Sequence, residues 1–573
     1  MIVLVGVGAE FASFARSDIA FLLYAARRVL DGARMYVDVV EINPPLIVVL
    51  NLPAVFLGRV LGVSDILVYR ALVAAALLGA LALADWSLRW ILGPGGDRLR
   101  RLLVLVLAFA LFPAAGNNFG QREHLLIALA LPYVLLAGGR VDGRPAPAAT
   151  AGAAGALAGV GFALKPHFLL VWAAIEGYAA WRLRARRVSH EALGAAAFLA
   201  VYLVGVAFLT PQYFGLVRLL GPAYSGFGYD PFLHVLVTAP GTTVCYLAVL
   251  ACAALRREAR HRGLWAALLV ALVASFLAGA AQQKGWGYHF YPSRVFALAL
   301  LALAVVDVRR PLVRPVQQMY AAVAFATLGT SVLSSVTMGI SRILHRDPVG
   351  RTEQAQLGDL VAAVRRHTPP GGSLYIMSYS IEAGFPLVNY SGVRWASRFP
   401  HLWIIEAVYQ DQLHAPAPLH FHAPEKMGAA ERYLNDSVHE DLTRYRPDLL
   451  MVLRHGRDVQ QNSLRRLDYL GYFSRDPRIA AVLGQYRFVQ EVGQYQLYLR
   501  ADSPDGPGVP PRSEPGWHDV AGSDAGTGGE ALLADRDFLL STILFLLLAV
   551  CGYGLERRAA HGAARPSGRQ GSA

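Results

Sequence analysis

Long apolar runs constrain what this chain can fold into more than any other feature of its sequence. A helix that crosses a bilayer needs about 20 mostly apolar residues, and neighbouring residues can extend the shorter runs. The composition agrees, because 16% of the residues are charged, whereas a soluble domain carries about 25%. The sequence therefore predicts a polytopic α-helical membrane protein. The runs lie near residues 1–15, 44–61, 66–92, 102–115, 125–138, 148–164, 168–181, 191–209, 232–254, 264–281, 295–308, 315–337 and 537–555.

Two kinds of connection alternate between these runs from residue 98 onward. The positive-inside rule places arginine-rich connections in the cytoplasm and the others outside. This topology accounts for the net charge of +13. A nucleic-acid partner is not expected, since no basic patch interleaved with aromatic residues occurs in a soluble segment. The arginine-rich connections are 98–101, 140–144, 182–187, 256–262, 309–314 and 557–558, and the less basic, more aromatic ones are 116–124, 165–167, 210–231 and 282–294.

Residues 16–65 become one long outer loop when this alternation is followed back to the start. The run 66–92 ends at the cytoplasmic RLRR and therefore begins outside. Residues 1–15, which lack a signal-peptide cleavage pattern, are interpreted as the outer end of a first crossing. The run 44–61 then cannot cross as well, and we expect it to lie along the outer surface or to dip in and return.

The residues of the run 44–61 support that interpretation. Asn51, Pro53 and Arg59 make it a poor span, because proline interrupts a helix and charge is costly in the bilayer. With this run excluded, the chain is predicted to have about 12 crossings and its N-terminus inside.

A change in composition divides the chain into a membrane module, 1–338, and a polar region, 339–500. The polar region contains GGSLYIM, DLLMVL and YQLYLR, which predict short strands, and LGDLVAAVRRH, which predicts an amphipathic helix. It is interpreted as an α/β domain outside the cytoplasm. Residues 501–534 are a flexible linker by composition, 535–556 a final span, and 557–573 a cytoplasmic basic tail.

The first outer loop is rich in acids that could carry chemistry. Asp18 precedes an amphipathic stretch, where it either caps a helix or acts in a reaction. Asp38 and Glu41 lie in YVDVVEINPPL, directly before an apolar run. Their structural alternative is a pair of solvated interfacial acids, and the two prolines determine how Glu41 is directed relative to the helix that follows.

The second outer loop places Arg122, Glu123 and His124 at the start of a helix. Such a group could bind phosphate or support a base, or it could be an ordinary charge cluster at a helix N-terminus. In the third loop, Lys165 and His167 could meet an anionic lipid head group, or Lys165 could simply extend to the interface.

The loop QQKGWGYHFYPSR adds Lys284, His289, Tyr291 and Arg294 at an outer boundary. Tryptophan and tyrosine at that depth also form an ordinary aromatic belt. The combination of lysine, histidine and arginine makes phosphate binding the competing interpretation.

Several familiar motifs are missing from the sequence. It contains no Walker loop or dinucleotide fingerprint after a strand, and neither a nucleophile elbow nor HExxH. We therefore expect no nucleotide cofactor, and substrates that come from the membrane and the outer compartment. Cys245, Cys252 and Cys551 all lie in apolar runs and are interpreted as small core residues, not as a disulfide or zinc set.

Taken together, the outer segments resemble a known superfamily. An acid follows the first span, an amphipathic helix ends in Gly-x-x-x-Tyr, and Asp-x-x-Glu-x-x-Pro-Pro-Leu comes next; LGVSDILVYR, GFALKPHF and KGWGYHFYPS continue the order. Over about residues 10–310 this resembles the GT-C lipid-linked-sugar glycosyltransferases, closest to the family 39 group of bacterial protein mannosyltransferases and aminoarabinose transferases. The resemblance implies a bacterial inner (cytoplasmic) membrane location, with 339–534 outside the cytoplasm.

The resemblance also implies a reaction. A sugar would move from a polyprenyl-phosphate donor to a glycan, lipid or protein acceptor on the outer face, with inversion. Asp18 matches the family's base, and Glu41 matches an acid that in aminoarabinose transferases helps hold a divalent metal ion near the donor phosphate. Glu123 matches a second acid in the next outer loop.

Two departures from the family pattern affect these roles. Ile42 follows Glu41 where relatives have a phosphate-binding lysine. Because that lysine is absent here, the phosphate contacts are expected from Arg122, Lys165 and Lys284 instead. Ser17 precedes Asp18 where the protein mannosyltransferases carry an Asp-Glu pair, so that subgroup fits less well.

Three other functions remain open at this stage. A lipid-glycan polymerase or ligase would rely on outer arginines and histidines more than on the first loop. A transporter or flippase for a lipid-linked glycan predicts internal repeats and charges near mid-membrane, whereas the acids here gather at one face. A membrane anchor for the outer domain is the third alternative.

Overall fold

The computed structural model describes residues 1–184, 187–309, 312, 314–413, 419–454 and 467–502. The predicted final span, 535–556, the basic tail and nearly all of the linker lie outside these residues. What is described is mainly helical, with one small sheet near the C-terminal end. The predicted class, a polytopic helical membrane protein with an α/β domain near the C-terminus, is confirmed, and the placement of that domain on the outer side stays a prediction.

The membrane module consists of fifteen helices among the described residues up to 343. Each predicted apolar run that lies within the described residues is helical, and the run 232–254 forms two helices. Continuous apolar sequence favours a helix where lipid surrounds the backbone. The helices are α1 (Ile2–Phe11), α2 (Ser17–Leu30), α3 (Leu46–Leu61), α4 (Asp65–Leu92), α5 (Asp97–Leu111), α6 (Arg122–Val141), α7 (Ala148–Leu164), α8 (Leu169–Leu183), α9 (His190–Leu209), α10 (Gln212–Gly226), α11 (Phe232–Thr238), α12 (Thr242–Leu255), α13 (Arg262–Ala280), α14 (Tyr291–Val306) and α15 (Pro315–Ile343).

Length and composition limit which of these helices can cross a bilayer alone. Within the described ranges, six are long and apolar enough, namely α4, α6, α9, α13, α14 with the turn before it, and α15. Helices α11 and α12 pass the same test together but meet at an angle of 80°. Helices α1, α3 and α7 are apolar but shorter. The predicted number of about 12 crossings stays a prediction.

The first outer loop folds into two helices joined by YVDVVEINPPL. Helix α2 buries one face, from Ile19 to Ala26, in the protein. Arg16 is its N-cap and Asp18 lies inside the first turn, so the capping alternative for Asp18 is wrong. Helix α3 leaves apolar side chains such as Phe56 and Val60 exposed along one side, as a helix at a membrane surface would.

The outer domain, residues 348–502, is built on a five-stranded sheet with the order β2-β1-β3-β5-β4. Strand β1 pairs in parallel with β2 and β3, and β5 runs antiparallel to β3 and β4. Strands β1 and β3 are buried on both faces, as helices cover them. The strands are β1 (Ser373–Met377), β2 (Arg394–Trp395), β3 (Leu449–Leu453), β4 (Tyr486–Val492) and β5 (Tyr495–Arg500).

Helices surround this sheet and complete the outer domain. The predicted helix LGDLVAAVRRH lies within α16, and the three predicted strands correspond to β1, β3 and β5. Strands β2 and β4 were not predicted. The helices are α16 (Pro348–His367), α17 (Leu387–Ser391), α18 (Trp403–Leu413), α19 (Ala429–Tyr445), α20 (Tyr469–Phe473) and α21 (Pro477–Leu483).

The outer domain rests directly on the first outer loop. The Tyr24 hydroxyl accepts a hydrogen bond from the Trp395 N–H at 2.9 Å, and the Val40 N–H donates to the Arg398 carbonyl at 2.7 Å. Phe21 packs edge-on against Phe385 with ring centroids 5.3 Å apart. The first outer loop is therefore enclosed between the membrane module and the outer domain.

Candidate active site

A buried ionic cluster lies at the outer end of α6. Glu123 and Lys165 form an ion pair with Nζ 3.2 Å from Oε1, and both side chains are almost completely buried. The His289 Nε2 atom lies 3.9 Å from the same carboxylate oxygen. Arg122 precedes Glu123 in the first turn of α6 and is also buried. Three connections far apart in the sequence thus meet at one point.

Local structure explains how these side chains converge. Arg122 and Glu123 begin α6 after Gln121 as N-cap. Lys165 stands at the break between α7 and the short 3-10 helix Pro166–Phe168, where Pro166 prevents α7 from continuing. His289 belongs to a second short 3-10 helix, Gly287–Phe290, which leads into α14.

Many polar atoms in this cluster have no hydrogen-bond partner among the described residues. They are Nε and Nη1 of Arg122, both carboxylate oxygens of Glu123 and both ring nitrogens of His289. Glu123 and Lys165 are close enough for an ion pair, but their geometry does not make a hydrogen bond. Buried polar groups are normally hydrogen-bonded. The cluster is therefore suited to a polar or charged ligand.

Two acids of the first outer loop act on this cluster electrostatically. Arg122 interacts most strongly with Glu41, then with Asp18, then with its neighbour Glu123. Both loop acids are half-buried. Glu41 Oε1 accepts hydrogen bonds from the backbone N–H of Asn43, at 2.9 Å, and from its side-chain amide. Asp18, Glu41 and Glu123 thus all act electrostatically on one guanidinium.

Asp38 is placed differently from these acids. Its Oδ2 atom accepts a hydrogen bond from the Arg34 N–H at 3.0 Å, and its Oδ1 atom accepts one from Arg444 of α19 at 3.2 Å. Although burial acts to raise the pKa of Asp38, these hydrogen bonds hold it below the usual value. The predicted catalytic acid thus joins the first outer loop to the outer domain.

His124 and Tyr291, both predicted to bind substrate, have structural partners instead. The His124 Nδ1 atom accepts the Gly120 N–H at 2.9 Å, and Nε2 lies 2.9 Å from the Leu111 carbonyl. The Tyr291 hydroxyl donates to the Ala110 carbonyl at 2.6 Å. Both side chains are fully buried, and they join α5, α6 and α14 just below the cluster.

His167 and Arg294 flank the cluster on two sides. The His167 Nε2 atom accepts a hydrogen bond from the Gln282 amide at 2.8 Å, and its ring lies 6.3 Å from that of His289. Arg294 is packed over the Tyr291 ring at 5.5 Å and against the Gly241 turn. The structure brings His167 to the cluster and places Arg294 at the contact between α12 and α14.

Lys284 is held in an aromatic cage. Its ammonium group lies over the rings of Tyr224, Phe227 and Trp286, at 4.3, 5.4 and 5.2 Å, and donates to the Tyr224 carbonyl at 3.0 Å. Burial lowers its pKa to about 8, while nearby Glu406 opposes that shift. Burial raises the pKa of Glu406 to about 7. Lys284 thus interacts with α10 and, electrostatically, with α18 of the outer domain.

Residues of the outer domain that the sequence did not single out also act on this site. His401 and Glu382 both interact electrostatically with Asp18, and Glu406 acts on Lys284. These residues lie more than 350 positions beyond Asp18 in the chain. No pattern in the sequence around them signals a site. Tyr224 was signalled only by the aromatic composition of YSGFGYD.

Among the residues that the structure describes, no group of three or more histidine, cysteine, aspartate or glutamate side chains could hold a metal ion. Glu41 accepts hydrogen bonds from the N–H groups of Asn43 and interacts electrostatically with the cationic Arg122 and with the hydroxyl groups of Tyr36 and Tyr213. These surroundings do not fit a divalent cation, which prefers several oxygen ligands.

The fold and the cluster define a polytopic helical membrane protein with a buried ionic site at the outer end of one span. No family model matches the sequence, and no curated protein does either. Among solved structures, ArnT from Cupriavidus metallidurans bound to undecaprenyl phosphate is similar with 13% identity and a TM-score of 0.46, over 79% of this chain and 87% of ArnT.

A second solved structure is also similar to this chain. The arabinofuranosyltransferase AftD from Mycobacteria matches with 16% identity and a TM-score of 0.35, over 79% of this chain and 35% of AftD. Because both TM-scores lie below 0.5, neither structure assigns a reaction to this chain.

Proposed function

We propose that this protein is an integral-membrane glycosyltransferase that moves a sugar from a polyprenyl-phosphate donor to an acceptor hydroxyl at the outer face. One observation carries the proposal. The buried guanidinium of Arg122 has unpaired N–H groups and interacts electrostatically with the acids Glu41, Asp18 and Glu123. A fixed cation beside carboxylates is what departure of a phosphate and deprotonation of a hydroxyl require together.

The donor phosphate would lie against Arg122. A polyprenyl-phosphate sugar is a phosphodiester with one negative charge, and the leaving polyprenyl phosphate gains a second as the sugar departs. Arg122 can meet that growing charge with N–H groups that are already oriented and not bonded elsewhere. Lys165 adds a second positive charge 3.2 Å from Glu123, which holds its ammonium group in place.

Asp18 would accept the proton of the acceptor hydroxyl. It is half-buried in the first turn of α2, and Glu382 and His401 of the outer domain lie close to it. The acceptor oxygen forms a bond to the anomeric carbon as the bond from that carbon to the phosphate oxygen breaks. Its proton passes to Asp18, and a single displacement inverts the anomeric centre.

Glu41 would orient Arg122 in this scheme. Asn43 fixes one carboxylate oxygen of Glu41. Among the three carboxylates, Glu41 has the largest electrostatic interaction with Arg122. No step is assigned to a metal ion, because the groups around Glu41 do not fit one.

The test is transfer by the purified protein in detergent from a panel of radiolabelled polyprenyl-phosphate sugars. Asp18→Asn should lower kcat by about 10²–10⁴-fold, as expected for loss of a positioned base. Arg122→Gln should lower it by about 10²–10³-fold, as expected for loss of a charge-stabilising donor. Asp31→Asn is the matched control, because Asp31 lies in the same outer loop but pairs with Arg59 in solvent.

Each result decides between the proposed function and its alternatives. Donor consumption that disappears in Asp18→Asn and persists in Asp31→Asn supports a glycosyltransferase. Full activity in a folded Asp18→Asn protein would remove Asp18 as the base. Movement of a lipid-linked glycan across vesicles without consumption of any donor would establish a flippase and overturn the proposal.

A further inference from the structure

A cleft of about 290 Å³ opens in the outer domain among α19, α20 and α21. Ligand pockets in proteins begin at about 300 Å³, so this one suits a ligand of about the size of one sugar unit. Apolar walls come from residues such as Met427 and Pro477. The polar lining residues are Arg432, Asn435, Asp436, Tyr472, Arg475, Asp476 and Arg478.

Arg475 is rigidly fixed at the cleft. Its Nε donates to the Tyr472 carbonyl at 3.0 Å and its Nη1 to the His422 carbonyl at 2.6 Å. The guanidinium lies 4.4 Å from the centre of the Tyr472 ring and 4.8 Å from that of Phe421. Its Nη2 atom is buried with no partner in the described part of the chain. A cationic donor is thus held without a counter-ion.

Arg432 is a second cation at the cleft that no carboxylate neutralises. It donates to the Met427 carbonyl. Within the described residues, neither Arg432 nor Arg475 has a carboxylate at ion-pair distance. Arg478 differs, because its guanidinium bonds to Asp476 and Asp436, each at 2.8 Å. The three arginines and two aspartates that line the cleft sum to a net charge of +1, with both aspartates on Arg478 and no carboxylate on Arg432 or Arg475.

Asn435 supplies a neutral acceptor beside these cations. Its amide nitrogen donates to the Glu431 carbonyl and to the Tyr472 hydroxyl, both at 3.0 Å. This fixes the orientation of the side chain and leaves its oxygen without a partner in the described part of the chain. An amide oxygen can accept a hydrogen bond from a sugar hydroxyl.

We propose that this cleft binds an anionic saccharide, that is, a sugar unit bearing a carboxylate or a phosphate. The acidic group would pair with Arg432 and Arg475, since arginine matches the geometry of both oxyanions. A hydroxyl would donate to Asn435, and the apolar face of the ring would lie on Met427 and Pro477. This assignment does not depend on the proposed transferase activity, and direct binding measurements test it separately.

The experiment measures binding of three sugars to the full-length protein in detergent by isothermal titration. Glucuronic acid and glucose 6-phosphate should bind at least about tenfold more tightly than glucose, because a hydrogen bond from a charged donor contributes about one order of magnitude. Comparison of the first two distinguishes a carboxylate from a phosphate ligand. Equal binding of all three sugars, or binding of none, would overturn the proposal.

Variants locate the binding within the cleft. Arg432→Gln and Arg475→Gln should each weaken binding of the preferred anionic sugar by about tenfold. Arg394→Gln is the matched control and should change binding less than about threefold, because Arg394 is an exposed arginine of the same domain that does not line the cleft. If Arg475→Gln does not fold, as judged by thermal unfolding, Arg432→Gln decides alone. Loss of binding in Arg394→Gln equal to that in Arg432→Gln would place the ligand elsewhere.

Discussion

At the scale of single residues, the site depends on charges that are costly to bury. Glu123 and Lys165 are nearly inaccessible, and a buried ion pair is stabilising only when further hydrogen bonds complete it. Here those further bonds are missing among the described residues. The buried charges without hydrogen bonds lower the stability of the folded protein, which is typical of a site arranged for a ligand.

The pair of Lys284 and Glu406 makes stability depend on pH. Glu406 has an ordinary pKa of 4.5, and burial raises this to about 7 in the folded protein. Between these two values the folded state holds a proton that the unfolded state has released. Stability should therefore be highest at the acidic end of this window and fall as pH rises through it.

Glu406→Gln should remove this dependence, because glutamine resembles the protonated acid. We expect the variant to match the wild-type protein at pH 5 and to exceed it at pH 8 by about 1–3 kcal/mol. Thermal unfolding in detergent at the two pH values measures the difference. Glu425→Gln, an exposed position in the same domain, serves as control. An equal gain at both pH values would contradict the assignment.

The residues of the site were predictable by type but not by role. Arg122, Glu123, Lys165 and His289 could be named because they lie in outer connections, which a charge pattern reveals. The sequence could not separate them from His124, whose ring nitrogens meet Gly120 and the distant Leu111 carbonyl. Such partners depend on how helices pack, and no local pattern records them.

At the scale of elements, helices α7 and α9 pack with their backbones almost in contact. A Cβ atom at Gly155 would lie 1.9 Å from the Glu191 carbonyl oxygen, and one at Gly194 would lie 2.0 Å from that of Gly152. Small residues permit such close approach between membrane helices, where van der Waals packing drives association. The glycines therefore determine the spacing of this pair.

Gly155→Ala should separate α7 from α9 and lower the stability of the protein. Overpacking costs about 1–3 kcal/mol, which a lower midpoint of thermal unfolding in detergent would show. Gly205→Ala, on α9 with open space around it, should leave the midpoint unchanged. If both variants behaved alike, close contact between the two helices would not be supported.

Elements with a strong periodic pattern were predicted and the weaker ones were missed. Strands β1 and β3 are continuous apolar runs bounded by turn residues, which is typical of buried strands. Strand β2 has only two residues. Strand β4, YRFVQEV, is half-exposed along most of its length, so its pattern lacks the contrast between faces that signals a strand. Strands β2 and β4 can therefore be recognised only from their pairing with a neighbouring strand in the folded sheet.

At the scale of the whole molecule, the outer domain and the first outer loop form one structure. Besides the contacts at Tyr24 and Val40, the Asn389 amide donates to the Ala20 carbonyl at 3.1 Å, and the Tyr390 hydroxyl accepts the Ala15 N–H at 3.1 Å. These two bonds lie on either side of Asp18. The outer domain therefore contacts the chain on both sides of Asp18.

The arrangement of the whole chain in the membrane can be tested by asking whether an odd or an even number of crossings separates two chosen residues. If α3 lies on the outer surface, an odd number of crossings separates Asp31 in the first outer loop from Arg257 in the connection between α12 and α13. If α3 crosses, the number becomes even and both residues lie on one side. Both positions are exposed, and the native Cys245 and Cys252 are buried.

Single cysteines at the two positions, in a chain whose own cysteines are replaced by serine, give opposite expectations. Asp31→Cys should react with a membrane-impermeant maleimide in intact cells, and Arg257→Cys should react only after permeabilisation, because arginine-rich connections stay in the cytoplasm. Labelling of both from one side would mean that α3 crosses. Labelling of Asp31→Cys only from the cytoplasm would mean that Asp18 and Arg122 lie on the cytoplasmic side. The proposed reaction could then not occur at the outer face.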